Sequence, residues 1–216
     1  MDARKILATH IPKEGIEDNI DWKFTSSCNY SAKTGYWYLN KGTPIDQLEK
    51  QFWKSIWNSD IFLEWKHFLW KIAVKAIPTA SNLTKRQIKM DEKCKFCKLE
   101  LEDETHLFKN CEFTQRIWTS TMGIKISNVT DTPVKDWIRN FLNLFRKKKQ
   151  EEFVELRRNF IATLWSIWLH RNEIVFKGGS PNPMSIMEIY RDSKEKHIQA
   201  TKQWDFAKSR VHKTTM

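Results

Sequence analysis

Three of the chain's four cysteines and one of its six histidines lie in one short run, EKCKFCKLELEDETHLFKNCEF. The four residues are Cys94, Cys97, His106 and Cys111, separated by two, eight and four positions. This spacing constrains folding in a way no hydrophobic pattern does. Cys-x2-Cys offers two thiolates from one tight turn. His106, read as the first turn of a short helix with Cys111 just past its end, offers a second pair, so one tetrahedral zinc ion can gather all four. Four protein ligands leave no open position for water, which makes the site structural rather than catalytic. Within Lys93 to Cys111 the apolar residues are Phe96, Leu99, Leu101, Leu107 and Phe108, too few to hold the loop shut unaided, so the metal stands in for a core. The alternative reading is a buried thiol pair with a capping histidine. A thioredoxin-type redox pair needs a strand-to-helix context that Glu92 and Lys93 do not supply. Cys28, far upstream, reads as a free thiol outside the site.

The rest of the chain reads as helices. Eleven Trp and thirteen Phe in 216 residues exclude a disordered chain, and only six Gly and six Pro disfavour a turn-rich one. Residues 22–38, rich in Thr, Tyr, Phe and Trp around a polar centre, predict a short β-hairpin with Cys28 at its turn. A helical pattern begins near Asp46 and carries Trp53, Ile56 and Trp57. Another carries Trp65, Phe68, Leu69, Ile72, Ala73 and Ala76. Pro78 ends that helix, and Thr79 or Ser81 can cap a short one after it. Beyond the cysteines come a helix around Phe113 to Trp118, a polar break through Asn128, Thr130, Asp131 and Pro133, and a helix with Trp137, Ile138, Phe141, Leu142 and Leu144. A long helix runs from about Glu151 with Phe153, Leu156, Phe160, Leu164, Ile167 and Trp168 on one side, stopped by Gly178, Gly179, Pro181 and Pro183. From Met184 an amphipathic helix with Ile186, Ile189 and Tyr190 fades into a frayed basic tail. The expected fold is mainly α: a helical domain with a short N-terminal β-hairpin and an inserted CCHC zinc knuckle. The expected segments are a lead-in over 1–17, a domain over 18–127 with the knuckle at 94–111, a helical extension over 128–180, and the amphipathic helix and tail over 181–216.

A formal charge of +11 and a pI near 9.5 draw the chain toward polyanions. Residues 61–93 hold seven Lys or Arg against three acids, whereas the knuckle holds three Lys against four acids. Phosphate contacts are therefore expected from the flanks: Lys85, Arg86 and Lys89, and the basic run Arg146, Lys147, Lys148 and Lys149. No apolar run is long enough to span a membrane and the N-terminus lacks a signal-peptide core, so the expectation is a soluble protein of nucleus or cytoplasm. No Walker-type loop, Gly-x-Ser-x-Gly elbow or paired carboxylates in an apolar setting occur, and His10, His67, His170, His197 and His212 stand apart from any catalytic cluster. The reading is no enzyme and no small-molecule substrate.

The run WKHFLWKIAVKAIPTASNLTKRQI, followed by CKFCKLELEDETHLFKNCEFTQRIW, resembles the reverse transcriptase zinc-binding domain of plant LINE-type (non-LTR) retrotransposon polyproteins. DWKFTSSCNYSAKTGYW looks like that family's hairpin leading into a helix, FWKSIWNS like its Trp-x-x-Ile-Trp, and LWSIWLHRNEIVF like its Trp-x-x-Arg-Asn-x-x-x-Phe helix, so the likeness spans roughly residues 18–177. It implies Cys94, Cys97, His106 and Cys111 as the ligands of one structural zinc. Cys28 stands where the family has Gly at the hairpin turn, and Phe62-Leu63-Glu64-Trp65 replaces a Pro-Pro-Lys lead into the next helix. With no Tyr-x-Asp-Asp and no ribonuclease H domain, the chain reads as a stand-alone module, either a re-used copy or a truncated remnant. Two functions fit it. One is a non-catalytic accessory module binding RNA or DNA with low specificity; the other is a zinc-stabilised scaffold or protein-interaction domain in which the charge serves solubility.

Overall fold

Aromatic side chains at helical spacing decide the architecture. The computed structural model describes residues 21–39, 46–125, 132–144 and 151–214, with side chains given as far as 203. The chain divides into two compact units, Met1–Asp46 and Gln47–Met216.

In the first unit the expected hairpin is replaced by a turn and a helix. The Trp22 amide donates to the Cys28 carbonyl at 2.8 Å, closing the turn, and α1 follows at Ala32–Leu39. The aromatic richness that suggests strands serves a ring cluster instead: Trp22 meets Phe24 and Tyr30 edge-on, each at 4.9 Å between centroids, and Phe24 stacks on Tyr38. The helix starts where it does because Ser31 and Thr34 cap each other. The Thr34 amide donates to the Ser31 hydroxyl and the Ser31 amide to the Thr34 hydroxyl. Gly35 lets the Tyr30 ring lie close over the helix, since a Cβ there would sit 2.8 Å from that ring and displace it. Cys28 is exposed and sits at φ 54, the left-handed conformation that favours glycine.

The second unit holds α2 (Gln47–Trp57), α3 (Leu63–Ala73), α4 (Ala80–Lys85), a π-helical turn (His106–Asn110), α5 (Glu112–Met122), α6 (Val134–Leu144), α7 (Glu151–Lys177) and α8 (Pro183–Thr214). Thr79, of the two expected caps, starts α4 by accepting from the Asn82 amide. Gly123, at φ 65, ends α5 by donating to Thr119 O. α8 does not fade after its amphipathic start but continues as helix to Thr214. The expected break at 128–131 and the basic loop 146–149 lie outside the described residues, as do the lead-in over 1–17 and the last two residues of the tail.

Phe160 of α7 is the centre of the core. It stacks on Phe141 of α6 at 3.8 Å, and Trp118 of α5 and Trp137 of α6 lie 5.1 and 5.0 Å from it. Around this cluster Phe52 and Ile56 of α2, Trp65, Leu69 and Ile72 of α3, and Ile161, Leu164 and Ile167 of α7 are all buried. Burying an aromatic or branched side chain stabilises by about 1.5–3 kcal/mol, so these contacts dominate the unit. α7 and α8 form an antiparallel pair. At one end the Asn182 amide donates to His170 Nε2 at 3.0 Å, and at the other Arg158 Nε donates to His197 Nδ1 at 3.2 Å.

His197 is 3 % exposed and stacks on Trp65 at 5.0 Å. Burial, followed by the Arg158 charge, lowers its pKa from the ordinary value of 6.5, against the opposing pull of Asp60 and Glu155. The folded state therefore prefers the neutral ring, and the stability this confers is lost as pH falls below 6.5 through the depressed folded value. Denaturation midpoints should decline between neutral and mildly acidic pH, and that part of the decline should be absent in His197→Gln, which cannot titrate.

Candidate metal centre

The knuckle is built from local hydrogen bonds that deliver its four ligands. A single antiparallel bridge pairs Lys93 with Leu101, and the Cys94 amide donates to Glu100 O at 2.8 Å. Between them the Cys-x2-Cys turn closes with Lys98 N donating to Cys94 O, and Lys98 takes φ 60 to do so. Asp103 starts the next turn: its carboxylate accepts from the His106 amide at 2.7 Å. The five-residue π turn then carries the chain from His106 to Cys111, whose amide donates to His106 O. That wider turn brings Cys111 back beside Cys94.

The ligand atoms of Cys94, Cys97, His106 and Cys111 all lie within 4.8 Å of one another. Cys94 Sγ is 3.9 Å from Cys111 Sγ, and Cys97 Sγ is 3.3 Å from His106 Nε2. A tetrahedron with metal–sulfur bonds near 2.3 Å has sulfur–sulfur edges of about 3.8 Å, so this set fits one zinc ion. Among themselves the four groups compete for charge. The Cys94 thiol is pushed up to about 12, by its bond to Cys111 and then by burial, and the same bond draws Cys111 down. Burial disfavours the His106 cation, but the sulfurs of Cys94 and Cys97 outweigh it and raise its pKa to about 9. A divalent cation resolves this competition by favouring thiolates and a neutral imidazole. Cys28 is no part of the cluster.

The knuckle is sewn into the main core more firmly than its few apolar residues suggest. Leu107 and Phe108 are fully buried, Phe108 meets Phe68 of α3 edge-on, and Trp118 Nε1 donates to Phe108 O at 2.8 Å. Thr105 Oγ1 accepts from the Val134 amide, and the buried Lys109 ammonium donates to Thr132 O, joining the knuckle to the start of α6.

Two functional residues escaped sequence reasoning. Glu102 is wholly buried and Arg171 of α7 is 1 % exposed, and they form an ion pair. Glu102 Oε1 accepts from Arg171 Nε and from the Ala80 amide, both at 3.0 Å, and Oε2 accepts from the Lys95 amide. Its backbone oxygen takes the Ser81 amide. One residue thus fastens α4, the knuckle and α7. Beside it Glu104, its pKa raised chiefly by burial, accepts from Asn82 of α4. Glu102 gives no signal within LELEDE. Arg171 does, since it is the arginine of the Trp-x-x-Arg-Asn motif.

Lys85, Arg86 and Lys89 are exposed at and after the end of α4, while Arg146, Lys147, Lys148 and Lys149 lie outside the described residues. A cavity of about 360 Å³ opens between the end of α2, Leu142, the start of α7 and His197, and no residue of the metal cluster lines it. Among the described residues no helix is long and apolar enough to cross a membrane.

Comparison with known proteins agrees with the motifs. The family model described as zinc-binding in reverse transcriptase matches residues 30–118. This stretch is thus similar to the zinc-binding segment of reverse transcriptases, and the protein binds one zinc ion, as its Cys and His cluster is arranged to do. The match takes in all four cluster residues and stops short of the α7 motif. The chain is also 24 % identical over 108 residues to an Arabidopsis thaliana protein that bears the name "Putative ribonuclease H protein". That alignment covers 48 % of this chain and 17 % of the relative, so the chain spans a small part of the relative's length. No solved structure matches the chain.

Arg171→Met should destabilise the unit by about 3–5 kcal/mol, because it leaves the Glu102 carboxylate buried without its cation. Pairing it with Glu102→Gln should recover part of that loss. Chemical denaturation of the parent, the single and the double variant measures both.

Proposed function

We propose that Cys94, Cys97, His106 and Cys111 hold a structural zinc and that the protein serves as a non-catalytic accessory module for RNA or DNA, binding with low sequence specificity. Four protein ligands saturate a zinc ion, which supports a structural role. The observation that carries the nucleic-acid reading is how α4 is mounted. Its first turn bonds to Glu102 of the knuckle, through the Ala80 and Ser81 amides, while its far end exposes Lys85 and Arg86, with Lys89 close behind. Zinc orders the support, and the support presents the cations. Of the knuckle's four acids, Glu102 and Glu104 are buried and withdrawn from this surface, while Glu100 and Asp103 are exposed. Binding through such a surface reads the phosphate backbone, not the bases.

Elemental analysis should find about one zinc per chain in the parent and in Cys28→Ser, and its loss from the Cys94→Ser/Cys97→Ser double variant. Retention in the double variant would overturn the ligand set. Chelation should keep most of the helical circular dichroism while changing the near-ultraviolet signal of Trp118, which bonds to the knuckle.

Affinity for single-stranded RNA and duplex DNA should fall steeply with salt, with a slope of roughly 0.9 per phosphate neutralised on a duplex. Reversing Lys85, Arg86 and Lys89 to Glu should weaken every sequence alike and flatten that slope, with reversal of Arg146 to Lys149 run beside it for comparison. Chelation should act in the same direction by loosening α4. Heparin binding equal to that of both nucleic acids, whichever basic cluster is reversed, would leave generic charge and return the protein to the scaffold reading.

A further inference from the structure

Helix α3 has two apolar faces. One, formed by Trp65, Phe68, Leu69 and Ile72, is buried in the core. On the other side Leu63, His67, Trp70 and Val74 follow one another at spacings of four, three and four, which aligns them along a single stripe. This stripe faces solvent, with Leu63 62 %, Trp70 39 % and Val74 43 % exposed. Trp57, from the last turn of α2, extends it: the indole meets the His67 ring edge-on at 5.6 Å and is itself 39 % exposed. A helix of a globular unit ordinarily turns polar residues outward, so a continuous outward stripe with two indoles marks an interaction surface.

The surroundings identify the partner. Lys66 stands on one flank, its ammonium donating to Trp57 O at 3.0 Å, and Lys71 stands on the other. Lys75 follows the end of α3, and Lys54 lies one turn before Trp57 on α2. Among the described residues none of these four lysines has a carboxylate in salt-bridge contact. Glu64 is the one acid on the exposed side of α3. Exposed flat rings set among cations are complementary to a polyanion that offers flat apolar faces, which is unpaired nucleic acid. A duplex offers the same phosphates but hides its base faces. A second copy fits poorly, because a two-fold contact of this face with itself would set lysines against lysines.

We propose that the Trp57–Trp70 face of α3 is a stacking platform for unpaired bases, with Lys54, Lys66, Lys71 and Lys75 holding the adjoining phosphates. The proposal rests on the nucleic-acid reading above and narrows it from any polyanion to single strands. Asn82 Nδ2 donates to Lys75 O at 2.9 Å, so α4, which carries Lys85 and Arg86, starts against the end of this platform. A strand leaving the indoles would meet those cations next.

The zinc-loaded full chain is titrated with homothymidine, with a DNA duplex and with heparin, as parent, Trp70→Ala, Trp57→Ala, Trp70→Phe and Lys71→Glu. Loss of one stacked base lowers affinity by about tenfold, so both alanine variants should weaken single-strand binding by that factor and leave duplex and heparin binding unchanged. Trp70→Phe should keep most of the affinity. Lys71→Glu should weaken all three ligands and flatten the salt dependence, which the alanine variants leave alone. Matching thermal midpoints establish that each variant is folded, as expected for exposed positions. Single-strand affinity unchanged in both alanine variants, or an equal loss for duplex and single strand, overturns the platform while leaving the broader nucleic-acid reading intact. A parent that self-associates, with Trp70→Ala abolishing it, assigns the face to a second copy. A parent that binds heparin alone overturns the broader reading itself.

Discussion

Glu102 is a carboxylate with no access to water, and three separate parts of the second unit are arranged around its two oxygens. An ionised group removed from solvent loses several kcal/mol of hydration, recovered only when every lone pair finds a donor. Arg171, the Ala80 amide and the Lys95 amide supply those donors from α7, α4 and the knuckle. None can move away without exposing the others' partner to an apolar surrounding. The arrangement thus specifies geometry more than it adds stability. It makes the positions of α4 and α7 relative to the knuckle interdependent, and it is why a zinc segment with few apolar residues is nonetheless part of the core.

The metal cluster and the aromatic core divide the labour accordingly. Phe160 and its neighbours bury large area without demanding a particular register, because aromatic contacts tolerate small shifts. The four ligands tolerate none, since a tetrahedral centre fixes distances to a few tenths of an ångström. Trp118 connects the two regimes: its ring belongs to the Phe160 cluster and its Nε1–H to the backbone of the knuckle. Disorder in either region would be felt in the other through that residue.

Helical periodicity was legible from Trp53 onward because most of the apolar residues that set it, such as Ile56, Trp65, Leu69, Ile138, Phe160 and Leu164, face one common core. The metal ligands were legible because their spacing is itself a chemical pattern. The hairpin expectation failed for a physical reason. Thr, Tyr, Phe and Trp favour strands by packing on a pleated surface, but Trp22, Phe24, Tyr30 and Tyr38 pack on each other, while the Ser31 and Thr34 cap turns the chain helical. Glu102 could not be singled out among four neighbouring acids, since its role depends on an arginine 69 residues away. The outward stripe of α3 was hidden for the opposite reason. Tryptophan at helical spacing reads as core, and only the surface exposure of Trp57 and Trp70 separates the two faces.

The long reach of the Glu102–Arg171 pair bears on where this module ends. The family match closes at residue 118, after the fourth ligand and within α5. A polypeptide cut there would keep every metal ligand yet bury a carboxylate whose counter-charge had been left behind on α7. During synthesis the knuckle can gather its metal as soon as Cys111 emerges, but it stays electrostatically incomplete until some sixty more residues have followed, by the separation of Cys111 and Arg171. The set of contacts that satisfies the knuckle therefore reaches past the segment that sequence kinship outlines, as far as one arginine of α7.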